Sequence, residues 1–404
     1  MGWAPESGQK FTRRAGLFGA AGLGLAACAT PVRGPAVPFA RTRDAKVLGL
    51  PNERFFFPWD GDAFRAEVLA AQERARRTHG TPRRGQERTI EMLAISGGGE
   101  NGAFGAGLLN GWTEAGNRPS FSLVTGVSTG ALTAPFAFLG PRYDAALKAV
   151  YTEITPKDVL EQRNILNAAL FEDALADNAP LFRTISRYLN DTMLAEIGEA
   201  YQQGRLLLIG TSDMDAQLPV AWNIGGIAAS GHPGALNLIR RLLLASAAIP
   251  GAFPPTLIDV TLDGKTYQEM HVDGGAFTQV FLYPRSVTRE RRAQLRNGNH
   301  VQPARAYIIR NGRIMPNPAH TERQTFKIVE RAISSMIASS GYNDVARIRT
   351  VTREDKVDFN LAAIGPDFPH EPKEPFEQAY MRKLYAHAFD QARVGYPWLK
   401  DIPY

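Results

Sequence analysis

Residues 89–102 read TIEMLAISGGGENG, a strand-like run that ends in a glycine-rich loop. The run from Thr89 to Ser96 is short, mostly apolar and bounded by glycines, which indicates a buried strand. Ala103 to Ala115 then carries apolar residues at helical spacing. The order strand, glycine loop, helix is typical of an α/β fold. Such a loop leaves unpaired backbone N–H groups at a helix N-terminus, where the helix dipole favours negative charge.

The same loop also matches the GxGxxG pattern of dinucleotide-binding folds. That pattern requires an acidic residue about 20 positions on, at the end of the next strand, to hold the ribose. The next strand-like run is Phe121 to Gly126, and it ends without a carboxylate. The sequence therefore argues against a nucleotide site.

The second strand-like run leads into GVSTG at residues 126–130, a GxSxG motif. Small residues around the serine allow a sharp strand-to-helix turn that lifts its hydroxyl clear of the sheet edge. An apolar strand precedes this motif, and Ala131 to Leu139 is predicted to form the helix behind it. Ser128 is therefore a candidate nucleophile.

A nucleophilic serine needs a base, and the third motif offers one in MHVDGG at residues 270–275. The runs Ile258–Leu262 and Lys265–His271 are predicted to pair as a hairpin turned at Asp263-Gly264. Asp273 ends the second strand of that hairpin. Taken alone, Asp-Gly-Gly is more typical of a turn.

Together these motifs resemble the signature of patatin-like phospholipases: Ser96–Gly102, Gly126–Gly130 and Asp273–Gly275. The block ASAAIPGAFPP at residues 245–255 is similar to a further family segment. The likeness is firm from about Thr89 to Leu282 and weak in the C-terminal hundred or so residues. It implies a three-layer α/β/α sandwich with a central, mostly parallel sheet.

The resemblance also implies a role for each motif residue. Ser128 would be the nucleophile and Asp273 the base, with no catalytic histidine and no cofactor. Backbone N–H groups of the glycine loop would form an oxyanion hole, at Gly97, Gly98 and Gly99. Further glycines would allow the tight turns of the motifs: Gly102, Gly126, Gly130, Gly274 and Gly275. Family loops often carry Arg or Lys where this chain has Asn101.

Two other functions remain open at this stage. An α/β-hydrolase esterase would use a Ser-His-Asp triad, for which His370 is the best-placed late histidine and His271 shares a strand face with Asp273. A catalytically silent lipoprotein that binds a lipid or a partner would not need both Ser128 and Asp273. The histidines show no metal-ligand spacing, so no metal is expected. The chain from Tyr143 to Tyr201 is a candidate wall for an acyl-chain pocket.

The first 27 residues are predicted to be a signal peptide. Basic residues precede an uncharged run from Ala15 to Ala27 that is too short to span a bilayer. The run ends at Cys28 in a pattern that resembles a bacterial lipobox, so Cys28 is a predicted lipidation site. Ala29 then favours the outer membrane, facing the periplasm. Thr12-Arg13-Arg14 also resembles a twin-arginine signal, which leaves the export route open.

The predicted organisation has a tether and N-terminal extension over residues 28–88 and a hydrolase domain over residues 89–404. Four prolines between Thr30 and Arg54 suit an extended tether, and a helix is expected from Ala63 to Arg77. The net charge of +6 is scattered along the chain, so no nucleic-acid partner is expected. The predicted partners are a lipid ester substrate, such as a phospholipid or lysophospholipid, and a membrane held through the lipid anchor.

Overall fold

The computed structural model describes residues 33–80, 87–159, 161–162, 176–315, 318 and 320–403. The predicted signal peptide and Cys28 lie outside these residues. The strands are β1 (Arg54–Phe56), β2 (Ile90–Ile95), β3 (Leu123–Val127), β4 (Glu161–Gln162), β5 (Ala176–Asp177), β6 (Leu206–Asp213), β7 (Leu218–Asn223), β8 (Thr256–Leu262), β9 (Lys265–Asp273), β10 (Ala304–Arg310) and β11 (Asp358–Ala363).

The α-helices alternate with these strands over much of the chain. They are α1 (Gly61–His79), α2 (Gly102–Glu114), α3 (Thr129–Leu139), α4 (Asp144–Thr152), α5 (Pro156–Val159), α6 (Ala179–Tyr188), α7 (Asp191–Gln202), α8 (Ile224–Ala229), α9 (Ala235–Ser246), α10 (Arg289–Arg296), α11 (Thr325–Glu354) and α12 (Gln378–Arg393). Among the described residues, no helix combines the length and the apolar composition that a bilayer span requires.

Within the described residues, nine strands form one mixed sheet in the order β1-β7-β6-β3-β2-β10-β11, with β9 paired to β6 and β8 paired to β9. The five strands β6, β3, β2, β10 and β11 run parallel. Their carboxyl ends therefore share one edge of the sheet, called the carboxyl edge below. In open α/β sheets this edge is where ligand sites form.

Alternating side chains of the central strands fill two separate cores. In β2, Leu93 and Ile95 belong to one core, whereas Met92 and Ala94 belong to the other. This alternation follows from the two-residue repeat of a strand. Helices α2, α3, α9 and α12 cover the first face, and α1 and α11 contribute to the second. The expected three-layer α/β/α sandwich with a mostly parallel sheet is confirmed.

Residues 33–56 differ from the extended tether expected there. Ala45 and Val47 are buried in the first core, Lys46 forms a bridge with Thr261, and β1 pairs antiparallel with β7 at one end of the sheet. The prolines of this stretch restrict the backbone locally, but the apolar residues after them have a surface to pack against. The segment thus completes the sheet.

Candidate active site

Ser128 occupies the turn between β3 and α3 with φ 56° and ψ −127°. Residues other than glycine seldom adopt a positive φ, and such strain clusters at functional sites. A Cβ at Gly126 or Gly130 would lie less than 3.0 Å from neighbouring backbone atoms, so the sharp turn needs both glycines. Other motif glycines lie in similarly close contacts: Gly102, Gly274 and Gly275.

Strand β6 brings Asp273 to Ser128. Strand β3 pairs along the first part of β6, and its last residue, Val127, lies opposite Gly210. Strand β9 comes from the opposite direction along the same side of β6 and ends with Asp273 opposite Thr211. The two strands therefore end at consecutive residues of β6. The hydroxyl of Ser128 donates a hydrogen bond to the Asp273 carboxylate across the junction.

The Asp273 carboxyl is buried, and this burial raises its pKa from 3.8 to about 6. The hydrogen bonds from Ser128 and from the backbone N–H of Gly275, at 2.7 Å, act in the opposite direction because they stabilise the carboxylate. A carboxyl with this pKa is ionised at neutral pH yet accepts a proton readily. That property suits a general base.

Ser246, at the C-terminus of α9, connects the turn at Ser128 to β6. Its Oγ accepts a hydrogen bond from the backbone N–H of Ser128 at 3.0 Å and donates one to the carbonyl of Gly210 at 2.6 Å. Ser246 is fully buried. The sequence analysis included it in the 245–255 segment but assigned it no role.

The glycine loop lies against Ser128 at the carboxyl edge. A Cβ at Gly97 would stand 3.1 Å from Cβ of Ser128. The N–H of Gly97 donates to the carbonyl of Gln279 at 3.1 Å, so it is already engaged. Within the described part of the chain, the N–H groups of Gly98 and Gly99 have no such acceptor. These two groups are the candidate oxyanion donors that remain.

Arg310, the last residue of β10, lies beneath the glycine loop. Its Nη1 donates to the carbonyl of Gly97 and to Oγ of Ser96, each at 3.3 Å. The guanidinium is buried, and burial lowers its pKa although the nearby Asp344 opposes this shift. Arg310 thus places a positive charge next to the loop. No sequence motif marks Arg310, although a charged residue that ends an apolar run is a usable signal.

Asn101 stands where family loops often carry a cation. Its side-chain oxygen accepts a hydrogen bond from the hydroxyl of Tyr380 at 2.6 Å. This contact ties the loop to helix α12 and contributes no charge. The positive charge near the loop comes from β10 instead.

An apolar cavity includes Ser128, Gly99 and Glu100 in its lining. Much of the wall comes from the chain between β3 and β6, as predicted for Tyr143–Tyr201. Representative wall residues are Leu132, Phe136, Val150, Leu181, Ile185 and Met193. The cavity has the form expected for a hydrocarbon chain.

The two histidines weighed for a triad make other contacts. The fully buried His271 bonds through Nδ1 to Oγ1 of Thr211 at 3.0 Å and through Nε2 to Oε2 of Glu269 at 3.2 Å. His370 is exposed and packs edge-on against Phe368. Among the described residues, no hydrogen bond joins either histidine to the Ser128–Asp273 pair.

One buried cluster has the composition of a metal site. Asp213, Glu269 and His271 each offer a ligand atom within 4.8 Å of the others. Arg54 already forms a buried ion pair with Glu269. Oδ1 of Asp213 accepts two backbone N–H groups from its own turn. These contacts occupy the polar groups of the cluster, which is therefore a structural network. In it, the carboxylate of Asp213 stabilises the turn after β6.

The part of the chain that carries the three motifs matches a known family. Residues 93–283 match the model of the family described as patatin-like phospholipase. No curated protein matches the sequence. Among solved structures, the crystal structure of VipD from Legionella pneumophila is similar, at 11% identity and a TM-score of 0.37, over 78% of this chain and 70% of that chain. That likeness is too distant to add to the family assignment.

Proposed function

We propose that this protein is a serine acyl-ester hydrolase that acts on lipid esters through a Ser128–Asp273 dyad. The observation that carries the proposal is the hydrogen bond from Ser128 to a buried carboxylate at the wall of an apolar cavity. A module that only binds a lipid needs neither a strained serine nor a carboxylate with a raised pKa. The match of residues 93–283 to the patatin-like phospholipase family supports a lipid ester as the substrate class.

In the first half-reaction, Oγ of Ser128 attacks the ester carbonyl carbon while Asp273 takes the hydroxyl proton. The negative charge that forms on the carbonyl oxygen is stabilised by the N–H groups of Gly98 and Gly99. One such donor is worth about 2.7–4 kcal/mol in acyl transfer. The ester C–O bond then breaks, and Asp273 returns the proton to the departing alcohol. The acyl group remains on Ser128.

In the second half-reaction, Asp273 takes a proton from water as the water oxygen attacks the acyl-enzyme. The bond between the acyl group and Ser128 breaks, the fatty acid leaves, and the proton returns to the serine. One carboxyl group thus acts as base and acid in turn. A pKa near 6 allows both roles close to neutral pH.

A hydrolysis screen with matched variants tests the proposal. We expect the wild type to cleave long-chain phospholipids or lysophospholipids and to react with a fluorophosphonate probe. Ser128→Ala should abolish both activities, and Asp273→Asn should reduce hydrolysis at least about a hundredfold. Ser334→Ala, a change at an exposed helical serine, is the control. Retained hydrolysis in well-folded Ser128→Ala would place the nucleophile elsewhere.

The histidine variants separate the dyad from the triad. His271→Gln and His370→Gln should retain most of the hydrolytic activity, because neither side chain contacts Ser128 or Asp273. His271→Gln should lower stability, since its ring nitrogens bond Thr211 and Glu269. A collapse of kcat in a folded histidine variant would favour an α/β-hydrolase mechanism.

We also propose that the protein is exported and lipidated at Cys28, as the signal-like sequence predicts. The mature protein should incorporate a fatty-acid label and partition with membranes, because a diacylglyceryl group supplies two chains. Cys28→Ser should block labelling. Equal labelling and membrane retention in the variant would contradict the lipoprotein prediction.

A further inference from the structure

Helix α11 is far longer than its connection requires. It joins β10 to its parallel neighbour β11, so it must return from the carboxyl edge to the opposite edge of the sheet. The seven residues of β10 span about 23 Å, which a helix of about 15 residues covers. The helix from Thr325 to Glu354 has 30 residues and is about 45 Å long. About half of helix α11 is therefore not needed for the crossing.

The contacts of α11 show which half makes the crossing. Gly341 packs so closely on Arg310 that a Cβ there would stand 2.6 Å from its Cζ. Oδ2 of Asp344 accepts the N–H of Gln279 at 2.7 Å, and Val345 is buried in the second core. The crossing thus begins near Gly341, level with the glycine loop. Residues 325–340 extend about 24 Å beyond the carboxyl edge.

The projecting half of α11 is amphipathic. Five of its apolar side chains are between 39% and 70% exposed, and they occupy about half of the helix circumference. They are Ile328, Val329, Ile333, Met336 and Ile337. The other side of the helix carries Lys327, Arg331, Ser334 and Ser335. This apolar stripe has no counterpart elsewhere among the described residues, where large exposed apolar side chains occur singly or in pairs.

Two further exposed apolar side chains belong to the same edge. Phe277 follows the turn after Asp273, and Met315 lies on the segment after β10; they are 39% and 48% exposed. Both segments continue from strand ends that meet the active site. Exposed apolar surface is therefore concentrated on the side of the molecule that carries Ser128.

We propose that residues 325–340 dock the protein on a lipid surface, with the apolar stripe at the acyl boundary and the polar side toward the headgroups. A stripe this wide suits a planar interface, whereas a helical partner would need only a narrow seam. The choice of lipid as occupant rests on the proposed function, since a lipid ester must reach Ser128 from this edge.

Vesicle binding by the full chain carrying Ser128→Ala tests the docking surface without hydrolysing the vesicles. Met336→Asp places a charge in the apolar stripe, and Ser334→Asp places the same charge on the polar side. On vesicles of phosphatidylcholine and phosphatidylglycerol, Met336→Asp should weaken binding about tenfold or more. Ser334→Asp should change it less than about twofold. Both variants keep residues 1–32, so any N-terminal anchor contributes equally.

A second measurement covers the case in which the anchor dominates binding. An indole introduced by Met336→Trp should be quenched by brominated lipids, and one introduced by Ser334→Trp should not. Equal quenching and equal binding would overturn the proposal. The proposal would also be overturned if the wild type formed an oligomer that Met336→Asp dissociates without loss of vesicle binding. The stripe would then contact protein. Because no readout requires turnover, failure of the proposed hydrolase activity would be seen separately.

Discussion

Ser128 donates a hydrogen bond to Asp273, and burial raises the pKa of that carboxyl to about 6. Among the described residues, no histidine contacts either side chain. The proposed proton acceptor of the serine is thus a carboxyl whose charge state changes near pH 6. The pH dependence of hydrolysis and of folding should report it directly.

The first prediction concerns the pH profile of kcat/KM on a soluble ester. The active form needs an ionised Asp273, so activity should be constant above its pKa and fall as the pH drops through about 6. Below that point the decline should approach tenfold per pH unit, as for one proton. A profile whose midpoint moves in His271→Gln would assign the titration to the histidine instead.

The second prediction concerns the stability of Asp273→Asn. The folded pKa lies above the unfolded value, so Asp273 favours folding at low pH and loses this contribution as the pH rises through about 6. Asparagine does not ionise, so the variant does not lose stability in this pH range for that reason. The free energy of unfolding of the variant, relative to wild type, should rise by about 2–3 kcal/mol between about pH 4 and about pH 8. Urea unfolding at both pH values measures this. An unchanged difference would mean that the carboxyl is solvated.

The third prediction concerns Ser246→Ala. The change removes the acceptor of the Ser128 N–H, and a buried unpaired donor costs about 1–3 kcal/mol of unfolding free energy. Because the turn at Ser128 has a positive φ, loss of this contact should also lower kcat with little effect on KM. Thr352→Ala removes a buried hydroxyl that bonds within its own helix, and it should lower stability alone. Equal kcat values in the two variants would make Ser246 merely structural.

The fourth prediction concerns Arg310→Met. The guanidinium donates to the Gly97 carbonyl and so polarises the peptide unit that contains the N–H of Gly98. Its removal should lower kcat by about tenfold, which corresponds to about 1.4 kcal/mol of transition-state stabilisation. The control Arg347→Met removes an exposed arginine that pairs with Asp344. If both variants keep the wild-type kcat, the charge beneath the loop has no role in the reaction.

The motifs near Ser128 could be predicted because local sequence determines their geometry. A glycine-bounded apolar run predicted β2, and the predicted hairpin at Asp263-Gly264 is formed by β8 and β9. The turn at Ser128 followed from the small residues around it. In each case the backbone conformation is restricted by residues a few positions apart.

Contacts between residues far apart in the chain could not be predicted from local sequence patterns. Arg310 lies more than two hundred residues from the loop beneath which it sits, and no local pattern indicates that pairing. Ser246 likewise meets Ser128 only after α9 packs. Residues 33–54 were expected as a tether because prolines dominate their local pattern. The docking of Ala45 and Val47 depends on a surface formed by later strands.

The double pairing of β6 separates the proposed catalytic pair from the residues expected to select the acyl chain. Ser128 and Asp273 are held beside consecutive residues of one strand, whereas much of the cavity wall belongs to the chain between β3 and β6. Substitutions or insertions in that wall can therefore alter the accepted acyl chain while the reacting pair stays in register. Descendants of one ancestral sequence can diversify their substrates without rebuilding the catalytic pair, and a protein engineer has the same freedom.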